Sequence, residues 1–163
     1  MATPTMHARI PNIAITMPDV LTGLQRLSRA AEKAGLSVQL LELVSVRASQ
    51  INGYSYCVGL HTSTLKSARE SDDRLFATAA WRDSPLFSDA ERAALALTEA
   101  ATRQSDRADP VPDEVWDEAA RHYDESELTA LVIGIAAINA WNRLNLPTRQ
   151  VAGTGWNRRS RQG

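Results

Sequence analysis

Helix-opening signatures recur along this chain. Ser37, Ser71, Ser88 and Asp124 each stand just ahead of a helical pattern, and Ser88 and Asp124 are followed three residues later by Glu91 and Glu127, the spacing of a capping box. β-Branched residues are scattered, and no alternating apolar run bounded by hairpin turns competes with these signals. The chain is therefore expected to be all-α, with about six to seven helices.

The first helix is expected over residues 19–34, with Val20, Leu21, Leu24, Leu27, Ala31 and Ala34 on its apolar side and Gly35 as a left-handed cap. Ser37 opens the second, in which Leu40, Leu41, Val44, Ala48 and Ile51 recur at helical steps while Glu42, Ser45 and Ser49 share a neighbouring face. Asn52-Gly53 closes it in a tight turn. A third helix from Tyr54 or Ser55 carries Cys57, His61, Leu65 and Ala68, so the two form an antiparallel hairpin. Further helices are expected over 72–80, 88–102, 113–122 and 128–144, with a polar loop over 103–112. The last helix is apolar around most of its circumference, which suits the centre of a bundle or a subunit interface. The Arg-, Gly- and Ser-containing stretch from 153 onward reads as a mobile tail.

A length of 163 residues fits one domain. Eighteen Lys+Arg against nineteen Asp+Glu leave a net charge of −1, so there is no global positive field for phosphates and no nucleic-acid partner is expected. The single cysteine cannot form an internal disulfide, which suits a reducing cytoplasm. Residues 1–17 lack the basic and apolar regions of a secretory signal. The longest apolar stretch, 128–141, is interrupted by Thr129, Gly134 and Asn139 and is shorter than the ~20 residues that span a bilayer. No membrane association is expected. Neither a Gly-x-Ser-x-Gly elbow nor a phosphate-cradling or dinucleotide-binding glycine pattern is present, and no cofactor is expected.

The residues with the most chemical promise lie on the helical hairpin. Cys57 and His61 are four positions apart and so share a helix face. Cys57 falls in the first turn, where unpaired N–H groups and a nearby imidazolium favour a thiolate. On spacing alone the inert reading is favoured: a lone cysteine is usually a small buried hydrophobe, His61 a hydrogen-bonded structural histidine and Glu42 a surface carboxylate. Cys57, His61 and Glu42 are also acceptable zinc ligands, but they lack a characteristic ligand spacing. His7 and His122 lie near a terminus and a helix end and call for no catalytic role.

The stretch from Glu42 to His61, ending Asn-Gly-Tyr-Ser-Tyr-Cys-Val-Gly-Leu-His, resembles the signature of the AhpD-like alkylhydroperoxidase and carboxymuconolactone decarboxylase superfamily. In that pattern a glutamate stands twelve residues before the first cysteine of a Cys-x-x-Cys, and a histidine four after the second. Glu42, Cys57 and His61 occupy those places, and Ser49 and Asn52 also fit. Ala80-Trp81-Arg82, residues 88–99 and residues 137–144 resemble flanking segments of the same superfamily.

The resemblance implies an AhpD-like helical bundle that assembles as a trimer or hexamer, and peroxide reduction at a thiol. The first position of the Cys-x-x-Cys is Tyr54, so the resolving thiol is absent and the dithiol cycle cannot run. What remains is a one-cysteine oxidoreductase. Cys57 would be the nucleophile and become a sulfenic acid, which an external thiol restores. His61 would be the general base, and Glu42 the acid or base of a proton relay through the Tyr54 or Tyr56 hydroxyls or a water. This reading expects an exposed Cys57 thiol of low pKa. The alternatives are a decarboxylase-like acid/base site on Glu42 and His61, and a non-catalytic oligomeric protein that binds a ligand in an apolar pocket.

Overall fold

The computed structural model describes residues 7–10 and 13–150. The tail expected from 153 onward lies outside them. The described residues hold no strand and form eight α-helices. They are α1 (Ile13–Thr16), α2 (Pro18–Glu32), α3 (Val38–Asn52), α4 (Ser55–Ser67), α5 (Asp72–Ala77), α6 (Asp89–Thr102), α7 (Asp113–His122) and α8 (Glu125–Asn145). Seven of these have six residues or more, and α1 is a single turn that the sequence pattern did not suggest.

The capping residues act as their types dictate. Ser37 Oγ accepts from Leu40 N–H at 3.1 Å, and Ser71 Oγ from Arg74 N–H at 3.3 Å. Both halves of the capping box are made at Ser88/Glu91 and at Asp124/Glu127, each satisfying donors that a helix start leaves unpaired. Gly53 closes α3 with φ 71°, a left-handed conformation that glycine adopts without Cβ strain. Gly35 is also left-handed, but α2 ends three residues earlier than it, at Glu32. The helix expected over 72–80 divides: α5 stops at Ala77 and a 3₁₀ segment, Thr78–Asp83, follows. A 3₁₀ turn, Gln104–Asp106, interrupts the polar loop.

The centre of the bundle is α3, not the last helix. It supplies Leu40, Leu41 and Val44 to the largest apolar cluster with Leu97, Leu131 and Ile135, and Leu43 to a second with Trp81, Phe87 and Leu95. It also gives Ala48 to a third with Tyr54, Cys57 and Ile138, and Val46 to a fourth with Leu65 and Leu75. The stripe read from the sequence was thus one face of a helix buried on most sides. By contrast, α8 packs on α2, α3, α6 and α7 but leaves Thr129, Val132 and Ala136 exposed.

Buried asparagines lace α8 to its neighbours. Asn142 Nδ2 donates to Ser49 Oγ at 3.2 Å, Asn52 Nδ2 to Asn139 Oδ1 at 3.0 Å, and Asn139 Nδ2 to Thr102 Oγ1 at 3.0 Å. Ser49 and Asn52 therefore fix the angle between α3 and α8, and the Ser49 hydroxyl is committed to Asn142. No described helix is long and apolar enough to cross a membrane.

Candidate functional site

The turn at Gly53 sends the chain back along α3, and Tyr54 N–H donates to Ser49 O at 3.0 Å. That return runs α4 antiparallel to α3, with Cys57 packed by Ala48 near the end of α3 and His61 reaching back to Glu42. His61, one turn beyond Cys57 on α4, meets Glu42 of α3, with Nδ1 and Oε2 2.8 Å apart. The two side chains are 18% and 20% exposed, enclosed enough for a defined geometry and open enough to be reached. The Glu42–His61 contact is direct, with neither tyrosine hydroxyl between them. It occupies Nδ1 and leaves Nε2 without a hydrogen bond to the described residues. Fixing one imidazole nitrogen on a carboxylate orients the other for proton transfer.

This pair forms part of the wall of a cavity of about 240 Å³ between α2, α3, α4 and α8. Cys57, Tyr54 and Tyr56 share the wall, and Leu41, Ile138 and Trp141 make much of its apolar surface. Trp141 Nε1 donates to Ser28 Oγ at 3.3 Å, tying α8 to α2 beside the cavity. Gly134 lies where a Cβ would stand 3.0 Å from Leu41 Cδ2, so its lack of a side chain lets α8 approach. Ser45 also lines the cavity, but its hydroxyl donates to Leu41 O at 2.8 Å.

All five sequence-derived candidates, Glu42, Tyr54, Tyr56, Cys57 and His61, thus border one cavity. The expectation of an exposed, acidic thiol is corrected. Cys57 is 5% exposed, its Sγ makes no hydrogen bond among the described residues, and burial pushes its thiol up to about 12. Loss of water around the sulfur outweighs the first-turn amides, because a charge in an apolar cluster loses more solvation than the helix start returns. Burial likewise raises the Tyr54 and Tyr56 phenols, with Cys57 adding to both. Cys57, His61 and Glu42 do not converge as a metal-ligating trio, and no such group occurs among the described residues.

A second polar centre was visible in the sequence only as a flanking segment. Glu99, 7% exposed, accepts from Arg47 Nη2 at 2.6 Å, Trp81 Nε1 at 2.8 Å, Arg82 Nη2 at 2.9 Å and Arg103 Nη1 at 3.3 Å. Burial alone would raise its carboxyl, but the bonds from Trp81, Arg82 and Arg47 hold it at about 2. Arg103 lies four residues from Glu99, but Arg47 and Trp81 reach it from other elements, 52 and 18 positions away, and carry no signal in the sequence that they meet it. The same is true of Trp141 and Gly134, whose place on the cavity wall depends on how α8 is rotated.

The sequence profile of the Carboxymuconolactone decarboxylase family matches residues 18–100, which hold α2 to α5, most of α6 and every candidate residue. The chain belongs to this family. Among its relatives is the uncharacterized YdfG of Bacillus subtilis, 31% identical over 129 residues, 79% of this chain and 86% of that protein. The uncharacterized YnjA of Escherichia coli is 34% identical over 137 residues, 84% and 71% of the two chains. A protein of unknown function from Agrobacterium tumefaciens, proposed as an AhpD antioxidant-defence protein, superposes with a TM-score of 0.84. It is 28% identical, and the match covers 91% of this chain and all of the other. The debrominase Bmp8 shares the fold with a TM-score of 0.75 at 21% identity, over 85% and 74% of the two chains. The two solved structures thus share one all-α scaffold with this chain while differing in what they are described as doing.

Proposed function

We propose that this family member is a one-cysteine thiol oxidoreductase that reduces a small organic hydroperoxide at Cys57, with His61 and Glu42 as its proton-transfer pair. The observation that carries the reading is the 2.8 Å contact between Glu42 and His61 on the wall of the cavity that also holds the chain's one cysteine. At neutral pH the buried thiol is protonated, so it needs a base in place when the peroxide arrives. His61 takes the thiol proton, and Glu42 stabilises the imidazolium. The sulfur attacks the terminal peroxide oxygen, the O–O bond breaks, and the alkoxide leaves as an alcohol with the proton from His61. Cys57 is left as a sulfenic acid. An external thiol condenses with it, releasing water, and a second thiol then frees Cys57 and departs as a disulfide.

The test is consumption of cumene hydroperoxide in excess dithiothreitol. Wild-type protein is expected to turn over, and Cys57→Ser is expected to fall to the uncatalysed rate. Turnover retained in Cys57→Ser overturns the reading. The burial that pushes the Cys57 thiol up to about 12 favours a second reading, in which Glu42 and His61 perform acid/base chemistry on a carbon acid and the sulfur only packs. Cys57→Ser keeps that reaction.

A further inference from the structure

The folded chain holds two buried tyrosines with opposite hydrogen-bonding arrangements. Tyr123, 8% exposed, donates its hydroxyl to Ala90 O at 2.7 Å, the usual arrangement for a phenol in a core. Tyr54 is 5% exposed, packed with Ala48, Cys57 and Ile138, and its hydroxyl makes no hydrogen bond to any described residue. No buried side-chain oxygen or nitrogen among the described residues is sealed off without a partner. The Tyr54 hydroxyl therefore keeps some accessible surface, and Tyr54 forms part of the cavity wall. Tyr56 also lines the cavity without a hydrogen bond to a described residue, but it is only half-buried, so solvent can reach it. Among the tyrosines, Tyr54 alone pairs near-complete burial with a hydroxyl that meets no described residue.

We propose that the Tyr54 hydroxyl is the fixed hydrogen-bond donor that receives one acceptor oxygen of an uncharged, largely apolar ligand and holds that oxygen beside Cys57. The inference rests on reading this cavity as the reaction site, and it adds the ligand class. A hydroxyl held among apolar side chains forfeits part of its hydrogen bonding to water, and a ligand oxygen that meets it restores that bond. Burial first, then Cys57 and Tyr56, keep the phenol in its protonated, donating form. The wall also carries the carboxylates of Glu32 and Glu42, which disfavour an anion in an apolar enclosure. A volume of about 240 Å³ suits a small organic molecule with a single polar end.

Calorimetric titration with three matched probes tests this: cumyl alcohol, cumene, and the carboxylate of the same skeleton, dimethylphenylacetate. Wild-type protein is expected to bind the alcohol more tightly than either of the others at pH 7. Tyr54→Phe should weaken the alcohol about tenfold while leaving cumene within about twofold. Unchanged alcohol affinity in Tyr54→Phe overturns the proposal. So does a wild-type protein that binds the carboxylate as tightly as the alcohol, or that binds none of the three. The wild-type series decides the matter even where the variant folds poorly. A protein that shows this binding pattern but does not consume cumene hydroperoxide loses the peroxidase reading and keeps this one. Turnover with a Tyr54-independent pattern does the reverse.

Discussion

Glu42 on α3 and Glu99, which meets Arg47 of α3, are both partly enclosed carboxylates, yet they are occupied differently. Both oxygens of Glu99 are filled by donors from α3, α6 and the Thr78–Asp83 segment. Glu42 has one partner, His61, and its Oε1 makes no hydrogen bond among the described residues. A carboxylate whose lone pairs are all engaged by fixed donors can only hold a fold together. One with an oxygen to spare on a cavity wall can move protons. Unused hydrogen-bonding capacity, more than burial, separates the site from the scaffold, and the unbonded hydroxyl of Tyr54 falls on the same side of that division.

Substitutions at three positions press on the contrast, in falling order of their effect on stability. Glu99→Ala leaves the Arg47 guanidinium, 11% exposed, without its carboxylate, and should destabilise the protein by about 3–5 kcal/mol in urea titrations. The folded carboxyl lies at about 2, below its ordinary value of 4.5. Its stabilisation is therefore complete above that ordinary value and is lost as pH falls through about 2. Wild-type Tm should drop across this window more steeply than that of Glu99→Gln. Asn139→Ala strips partners from Asn52 and Thr102 and should cost about 1–3 kcal/mol, with the intrinsic rate of peroxide reduction little changed. Glu42→Gln should alter stability by less than about 1 kcal/mol, because the pair is partly solvated, yet slow turnover by about a hundredfold or more. Comparable destabilisation by Glu42→Gln and Glu99→Ala would break the contrast.

The helices were legible because their starts are written locally. Ser37, Ser88 with Glu91, and Asp124 with Glu127 satisfy backbone donors within one turn, so neighbouring residues suffice to place them. The five candidate residues were brought together by the resemblance, because on spacing alone the inert reading is favoured; they meet because the Gly53 turn folds α3 and α4 into a hairpin. Whatever depends on the rotation of distant helices was not legible. Leu43 and Val46 extend the buried surface of α3 around the helix, so α3 takes the central place that was one of two expected for the last helix. Glu99 meets Arg47 across 52 positions, and Asn142 meets Ser49 across 93. The thiol was misjudged for the same reason. Its position at a helix start is local, whereas the desolvation by Ala48 and Ile138 that overrides it is tertiary.

The most direct test of the central claim is intact-mass analysis of reduced protein after brief exposure to cumene hydroperoxide, with dimedone present to trap sulfenic acid. The account predicts a single dimedone adduct on wild-type protein, none on Cys57→Ser, and formation slowed by about a hundredfold in Glu42→Gln. A wild-type thiol that stays unmodified, or one that oxidises equally fast without the Glu42 carboxylate, would contradict it.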